Sequence, residues 1–234
     1  FDNTKSIVVT SEDFTTNVGG TERVAVGEII RYRLVVEVPE GTSPDLQIVD
    51  QLPAGLVFIN DGTATVGFVS QDNDISSSTL GTTPDLGTTI TQPTSVLPDT
   101  AISTDQSSND DNYDSGTNVR FKLGDITNDA DNNGDAEFIV VEFNALVLNT
   151  ADTGNQDGTL LRNNFNTRIN GNTQRGDTSN NVDVRVAEPN LTVSKTASTT
   201  GPVDAGDTFS YTITVTNNAD TEFGNNAAPA FDIR

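Results

Sequence analysis

An all-β fold, a sandwich followed by the beginning of a second one, is predicted by three features of the sequence. The first is strict alternation: Ile30, Tyr32, Leu34, Val36 and Val38 fall on one face of an extended segment, and Arg31, Arg33 and Glu37 on the other. The second is the recurrence of such segments along the chain, separated by Gly, Pro, Asn and Asp, with no stretch of helical periodicity. The third is an internal echo. Phe209, Tyr211, Ile213 and Val215 take the places of Ile30, Tyr32, Leu34 and Val36 near the C-terminus, so the segment from Val26 to Phe58 that organises the chain begins again there.

In order, a first strand is expected at Ser6–Ser11, with Ile7, Val9 and Ser11 inward, then a turn at 17–20 before the organising strand. Pro39 ends that strand, because proline cannot donate to a ladder. Leu46 and Ile48 open the next, and a tight turn at 51–56 closes it. Residues from about 70 to 117 are rich in Ser, Thr, Asp, Gly and Pro and read as a long polar insertion, with short strands conceivable at 88–91 and 95–97 and a surface loop at 105–114. Alternation returns at Val119, Phe121 and Leu123. The run from Ala136 to Asn149 is apolar on both faces, which predicts a central strand. Leu161, Phe165 and Ile169 mark another strand, and Val182, Val184 and Val186 the last. Roughly eight or nine strands without a helix fit a Greek-key β-sandwich. This gives a first domain over 1–188 and, after the stiff linker at 187–190, a partial second sandwich over 189–234. Three strands cannot close a sandwich.

Composition narrows the chemistry. Twelve basic against 34 acidic residues give a net charge of −22, which repels nucleic acid and anionic lipid and suits divalent cations. Cysteine and histidine are absent, so thiol chemistry, the commonest general base and the commonest zinc ligand are missing. Carboxylates are too numerous to diagnose a glycosidase, and tryptophan platforms for sugar stacking are lacking. An enzyme is not expected. No apolar run reaches the roughly 20 residues of a membrane span, and no signal peptide opens the sequence at Phe1, as in a mature or excised chain.

Two motifs carry a family resemblance. The run L-T-V-S-K-T-A-S followed by A-G-D-T-F-S-Y-T-I-T-V-T-N-N resembles the opening of the conserved-repeat domains found in tandem in large bacterial surface proteins. The organising segment, with V-V-E-F-N-A-L-V-L-N downstream, is similar to the isopeptide-forming fimbrial domains of such proteins. The resemblance touches most of 6–70, 118–186 and 191–234 and leaves the insertion uncovered. It implies a secreted, extracellular Ig-like module at the cell surface, a structural and self-assembling repeat of a filament, fimbria or adhesin whose partners are copies of itself or neighbouring repeats. A calcium-stabilised ligand-binding adhesin module, recognising a receptor or glycan through the insertion, is the alternative.

Three sets of residues stand out. Lys195 shares the core face of its strand with Leu191 and Val193, where burial lowers an ammonium pKa. A neutral lysine beside an Asn or Asp, with a protonated carboxylic acid nearby, is what isopeptide formation requires, and the competing reading is a strand-end lysine reaching water. In the first domain the equivalent position reads as Ser11, so no crosslink is expected there. Asp129, Asp131, Asn133 and Asp135 have the every-second-residue oxygen spacing of a calcium loop and Gly134 its turn, although position twelve is Val140 rather than Glu; the competing reading is an acidic hairpin loop. Asp72/Asp74, Asp110/Asp111/Asp114 and Asp152/Asp157 are weaker clusters of the same kind. Finally, Leu191, Val193, Phe209, Tyr211, Ile213 and Val215 form an apolar face with too few strands to cover it, an expected assembly surface.

Overall fold

The computed structural model describes residues 1–12, 15, 17–71, 73–80, 84–129, 135–149, 155–220 and 226–227. The strands run β1 (Asn3–Thr10), β2 (Glu22–Val24), β3 (Ile29–Glu37), β4 (Gly41–Gln51), β5 (Leu56–Phe58) and β6 (Thr65–Val69). Within the polar insertion lie β7 (Ile75–Ser77), β8 (Ser95–Val96) and β9 (Ile102–Ser103). Then come β10 (Val119–Asn128), β11 (Phe138–Val147), β12 (Leu160–Ile169), β13 (Thr173–Arg175) and β14 (Val182–Val186). The chain continues with β15 (Asn190–Ala197), β16 (Tyr211–Asp220) and β17 (Asn226–Ala227).

Two sheets form an Ig-like sandwich. One has the order β1-β3-β11-β6-β8 with β5 added to β11, and the other the order β2-β14-β12-β4-β10-β7 with β13 and β9 at its margins. Alternation puts Ile30, Tyr32, Leu34 and Val36 of β3 between the sheets, opposite Ile48 of β4 and Phe121 of β10, all fully buried. The strand that is apolar on both faces, β11, is central as expected, pairing with β3 on one side and with β5 and β6 on the other. On its outer face Glu142 is also buried, and Arg31 and Arg33 of β3 both pair with it, at 2.8 and 2.6 Å. Two guanidiniums around one carboxylate satisfy a charge that burial alone would penalise.

The insertion is less peripheral than its composition suggests. Ile75, Leu97, Ala101 and Ile102 are buried in the main core, and Tyr113 packs on Phe58 with ring centroids 4.8 Å apart. Its three short strands pair with β10 and β6, where they flank the sheets. No strand forms at 88–91.

The first strand corrects the sequence reading. It starts at Asn3 rather than Ser6, and a bulge between Ile7 and Val9 moves Val9 opposite Arg31, on the outer face. Val9 is therefore exposed, and the inward residues of β1 are Asn3, Lys5 and, half-buried against the core as expected, Ile7. After the sandwich, β15, β16 and β17 form a separate three-stranded sheet that pairs with neither of the other two.

Candidate functional site

The inward face of β1 carries a lysine into an aromatic core, and three other strands supply the groups that meet it. Lys5 is held across from the second sheet by its own backbone: its N–H donates to Asn180 Oδ1, and Asn180 Nδ2 donates back to the Lys5 carbonyl. One turn of the pleat earlier, Asn3 Nδ2 donates to the Asp177 carbonyl while Asn3 Oδ1 accepts from Thr167 of β12. These bonds clip β1 onto the segment that follows β12, although 1–12 and 160–180 lie far apart in sequence.

At the centre, Lys5 Nζ is paired directly with Asp50 Oδ2 of β4, and both side chains are fully buried. The Nζ lies 4.6 Å from the ring centroid of Tyr32 on β3 and 5.6 Å from that of Phe143 on β11. Asn163, inward on β12 two residues from Phe165, the register partner of Asp50, is also wholly buried and faces both Asp50 and Tyr32. Among the described residues, Asp50 Oδ1, the Tyr32 hydroxyl and both amide atoms of Asn163 have no hydrogen bond of regular geometry.

Such a cluster is expensive as a purely structural device. A buried ion pair barely repays its desolvation, and each unpaired buried polar group costs about 1–3 kcal/mol. The electrostatics of the pair also permit chemistry. Burial holds the Lys5 ammonium down to about 8, against the pull of Asp50. Burial also pushes the Asp50 carboxyl up, opposed by Lys5 and by Asn163. Both shifts favour moving the proton from amine to acid, which leaves a neutral nucleophile, a carboxylic acid able to donate, and a carboxamide beside them.

The sequence reading places this chemistry at Lys195 and takes Ser11 as the equivalent position in the sandwich; the strand registers correct that equivalence. In the sandwich Lys5 stands opposite Leu34, and in the three-stranded sheet Lys195 stands opposite Ile213. Since Ile213 is the repeat counterpart of Leu34, the counterpart of Lys195 is Lys5 and not Ser11. Lys195 itself is exposed among the described residues, with its Nζ 4.0 Å from the centroid of the Tyr211 ring. Leu191, Val193, Phe209, Tyr211, Ile213 and Val215 are likewise exposed, from 39% for Phe209 to 69% for Val193. Their counterparts Ile30, Tyr32, Leu34 and Val36 are buried because a second sheet lies over them.

Of the expected calcium ligands, Asp131 and Asn133 lie outside the described residues, as do Asp72 and Asp152 of the weaker clusters, while Asp129 and Asp135 are exposed. Among the described residues no group of three or more acidic side chains is placed to hold a metal ion. Two adjoining clefts of about 280 and 300 Å³ do share Asp135, Ala136 and Glu137.

No family model matches the chain, and no curated protein matches it. Solved structures resemble it at low identity. The major pilin subunit BcpA of Bacillus cereus is 11% identical, with a TM-score of 0.40 over 82% of this chain and 42% of the pilin. The pilus backbone RrgB of Streptococcus pneumoniae is 15% identical, with a TM-score of 0.41 over 94% of this chain and 48% of that one. The collagen-binding domain of a Staphylococcus aureus adhesin is 13% identical, with a TM-score of 0.37, and 97% of it is covered by 79% of this chain. The chain thus spans less than half the length of either pilin. These likenesses concern fold alone.

Proposed function

We propose that this chain is a structural, self-assembling unit of a secreted bacterial filament, fimbria or surface adhesin, and that its sandwich welds itself through an amide between Lys5 and Asn163. The buried Lys5, Asp50 and Asn163 cluster carries the reading. In the reaction Asp50 takes the proton from Lys5 and donates a hydrogen bond to the Asn163 carbonyl oxygen. The neutral amine attacks Asn163 Cγ, a C–N bond forms, and the Cγ–Nδ2 bond breaks. Protons returned through Asp50 let the leaving group depart as ammonia, so nothing is oxidised or reduced. The product joins β1 of one sheet to β12 of the other. Tension entering at the N-terminus then passes through a covalent bond instead of unzipping β1 from β3. The chain should consequently weigh less than its sequence by one ammonia, and Lys5→Met should restore the full mass.

The pH dependence follows from proton counting. The ion pair and the neutral amine–acid pair hold the same number of protons, so the reactive form needs no exchange with solvent. The rate of ammonia loss from freshly folded chain is expected to be flat between the two titrations of the pair and to fall outside them. A rate climbing about tenfold per pH unit throughout, the mark of a lone lysine losing its proton to water, would contradict this role for Asp50.

A calcium-stabilised ligand-binding module is the second reading, favoured by one feature. Glu137, 4% exposed, borders both acidic clefts; its Oε2 accepts from Asn128, and its Oε1 has no partner among the described residues. On this reading calcium at about a hundredfold over its Kd adds about 2.7 kcal/mol, raising Tm by roughly 5–10 °C over chelator, and Asp131→Ala removes much of the shift. An unchanged Tm sinks it. Electron microscopy separates the two readings: fibres for the first, dispersed particles for the second.

A further inference from the structure

We propose that Tyr32 is a further residue of the welding reaction: its ring seats the Lys5 amine, and its hydroxyl donates to the Asn163 oxygen as that atom gains charge. The inference rests on the crosslink reading above and adds a group to it. Three observations support it. Tyr32 is wholly buried, yet its hydroxyl makes no hydrogen bond of regular geometry, which is unusual for a core tyrosine. That hydroxyl faces Asn163, the one side chain in the cluster whose amide is also without regular partners. And the pairing of lysine with tyrosine recurs. Lys5 lies over Tyr32, and at the matching register positions of the three-stranded sheet Lys195 lies over Tyr211, closer still. In that second sheet nothing described covers the pair, so the contact does not depend on the walls of a finished core.

The chemistry asks for such a group. When Lys5 Nζ adds to Asn163 Cγ, the carbonyl electron pair moves to oxygen, and this charge develops where no water reaches. Asp50 can supply one hydrogen bond. A second donor fixed in advance lowers the barrier further, because it needs no reorganisation at the moment of reaction. Burial and the nearby Asp50 charge both push the phenol above its ordinary value, so it stays a donor throughout. When the C–N bond to ammonia breaks, the carbonyl re-forms and the tyrosine keeps its proton.

The test uses the full chain, translated in vitro into denaturant and folded by dilution, with the loss of one ammonia followed by mass. Tyr32→Phe keeps the ring and should still fold, but should lose ammonia roughly 100-fold more slowly, the usual effect of removing one such donor. Phe58→Leu, which loosens the same aromatic cluster, should lower stability with little change in rate. In a Lys5→Met background, where no bond forms, Tyr32→Phe should leave Tm unchanged or raised, since it removes a buried hydroxyl without a regular hydrogen bond; a rate loss then has no structural explanation. If the parent crosslinks and Tyr32→Phe does so at the parental rate, or if Phe58→Leu slows it equally, the role of Tyr32 is overturned while the crosslink stands. A parent that never loses ammonia overturns both.

Discussion

The Lys5→Met chain is expected to unfold roughly 10–20 °C below the parent. A bond from residue 5 to residue 163 closes a loop of about 160 residues, and restricting the unfolded chain to that extent is worth about 5 kcal/mol on the loop-entropy scale used for disulfides. For a domain of this size each kcal/mol moves Tm by roughly 2–4 °C. Methionine fills nearly the volume of lysine without its charge, and Asp50, already pushed up by burial, can remain as the neutral acid. The comparison therefore isolates the crosslink better than Lys5→Ala, which would add a cavity. Calorimetry on parent and variant provides the measurement. Equal melting temperatures would mean that no covalent bond constrains the parent. Asp50→Ala should behave like Lys5→Met in mass and mobility, because the lysine then lacks its proton acceptor and the amide its donor.

Removing residues 190–234 is expected to abolish assembly and leave the sandwich intact. Among the described residues, strands β15, β16 and β17 pair only with one another, and the sandwich's core residues all precede Ala187. The truncated chain should therefore melt within a few degrees of the parent. What it loses is the face of Leu191, Val193, Phe209, Tyr211, Ile213 and Val215; the counterparts of the last four in the sandwich, Ile30, Tyr32, Leu34 and Val36, are covered by a second sheet. An apolar patch of six large side chains on one sheet, with strand edges beside it, is a surface that a second copy can cover by sheet packing or strand addition. Light scattering and negative-stain microscopy of the two chains decide the matter. Filaments from the truncated chain, or a dispersed monomer from the longer one, would show that assembly lies elsewhere.

The fold was legible because apolar alternation and turn residues speak directly for strands. β3, β10, β11, β12 and β14 lie where the pattern placed them. The site was not legible for the same reason. A search for apolar residues on β1 finds Ile7 and Val9 and passes over Asn3 and Lys5, and a bulge that no local composition announces turns Val9 outward. Lys195 was found because Leu191 and Val193 flank it; Lys5 has Asn3 and Ile7 on its face. The signal that could have revealed it is the repeat itself: Ser194-Lys195-Thr196 matches Thr4-Lys5-Ser6 once the two tyrosine strands are aligned by register. Asp50 and Asn163 are ordinary polar residues in sequence, and only the pairing of β12 with β4 brings them together. The insertion misled in the other direction. Its Ser, Thr and Asp content hid Ile75 and Ile102, which polar residues surround in sequence but which join the main core in space, while the short strand β8 was legible from Val96 and Leu97.

The central claim is tested most directly by the mass of the intact, folded and then denatured protein, followed by proteolysis and sequencing of any branched peptide. The expected result is a chain lighter than its sequence by one ammonia, yielding a single branched peptide in which the Lys5 side chain is joined to the residue at position 163. A chain of full sequence mass, with Lys5 and Asn163 recovered in separate linear peptides, would contradict it.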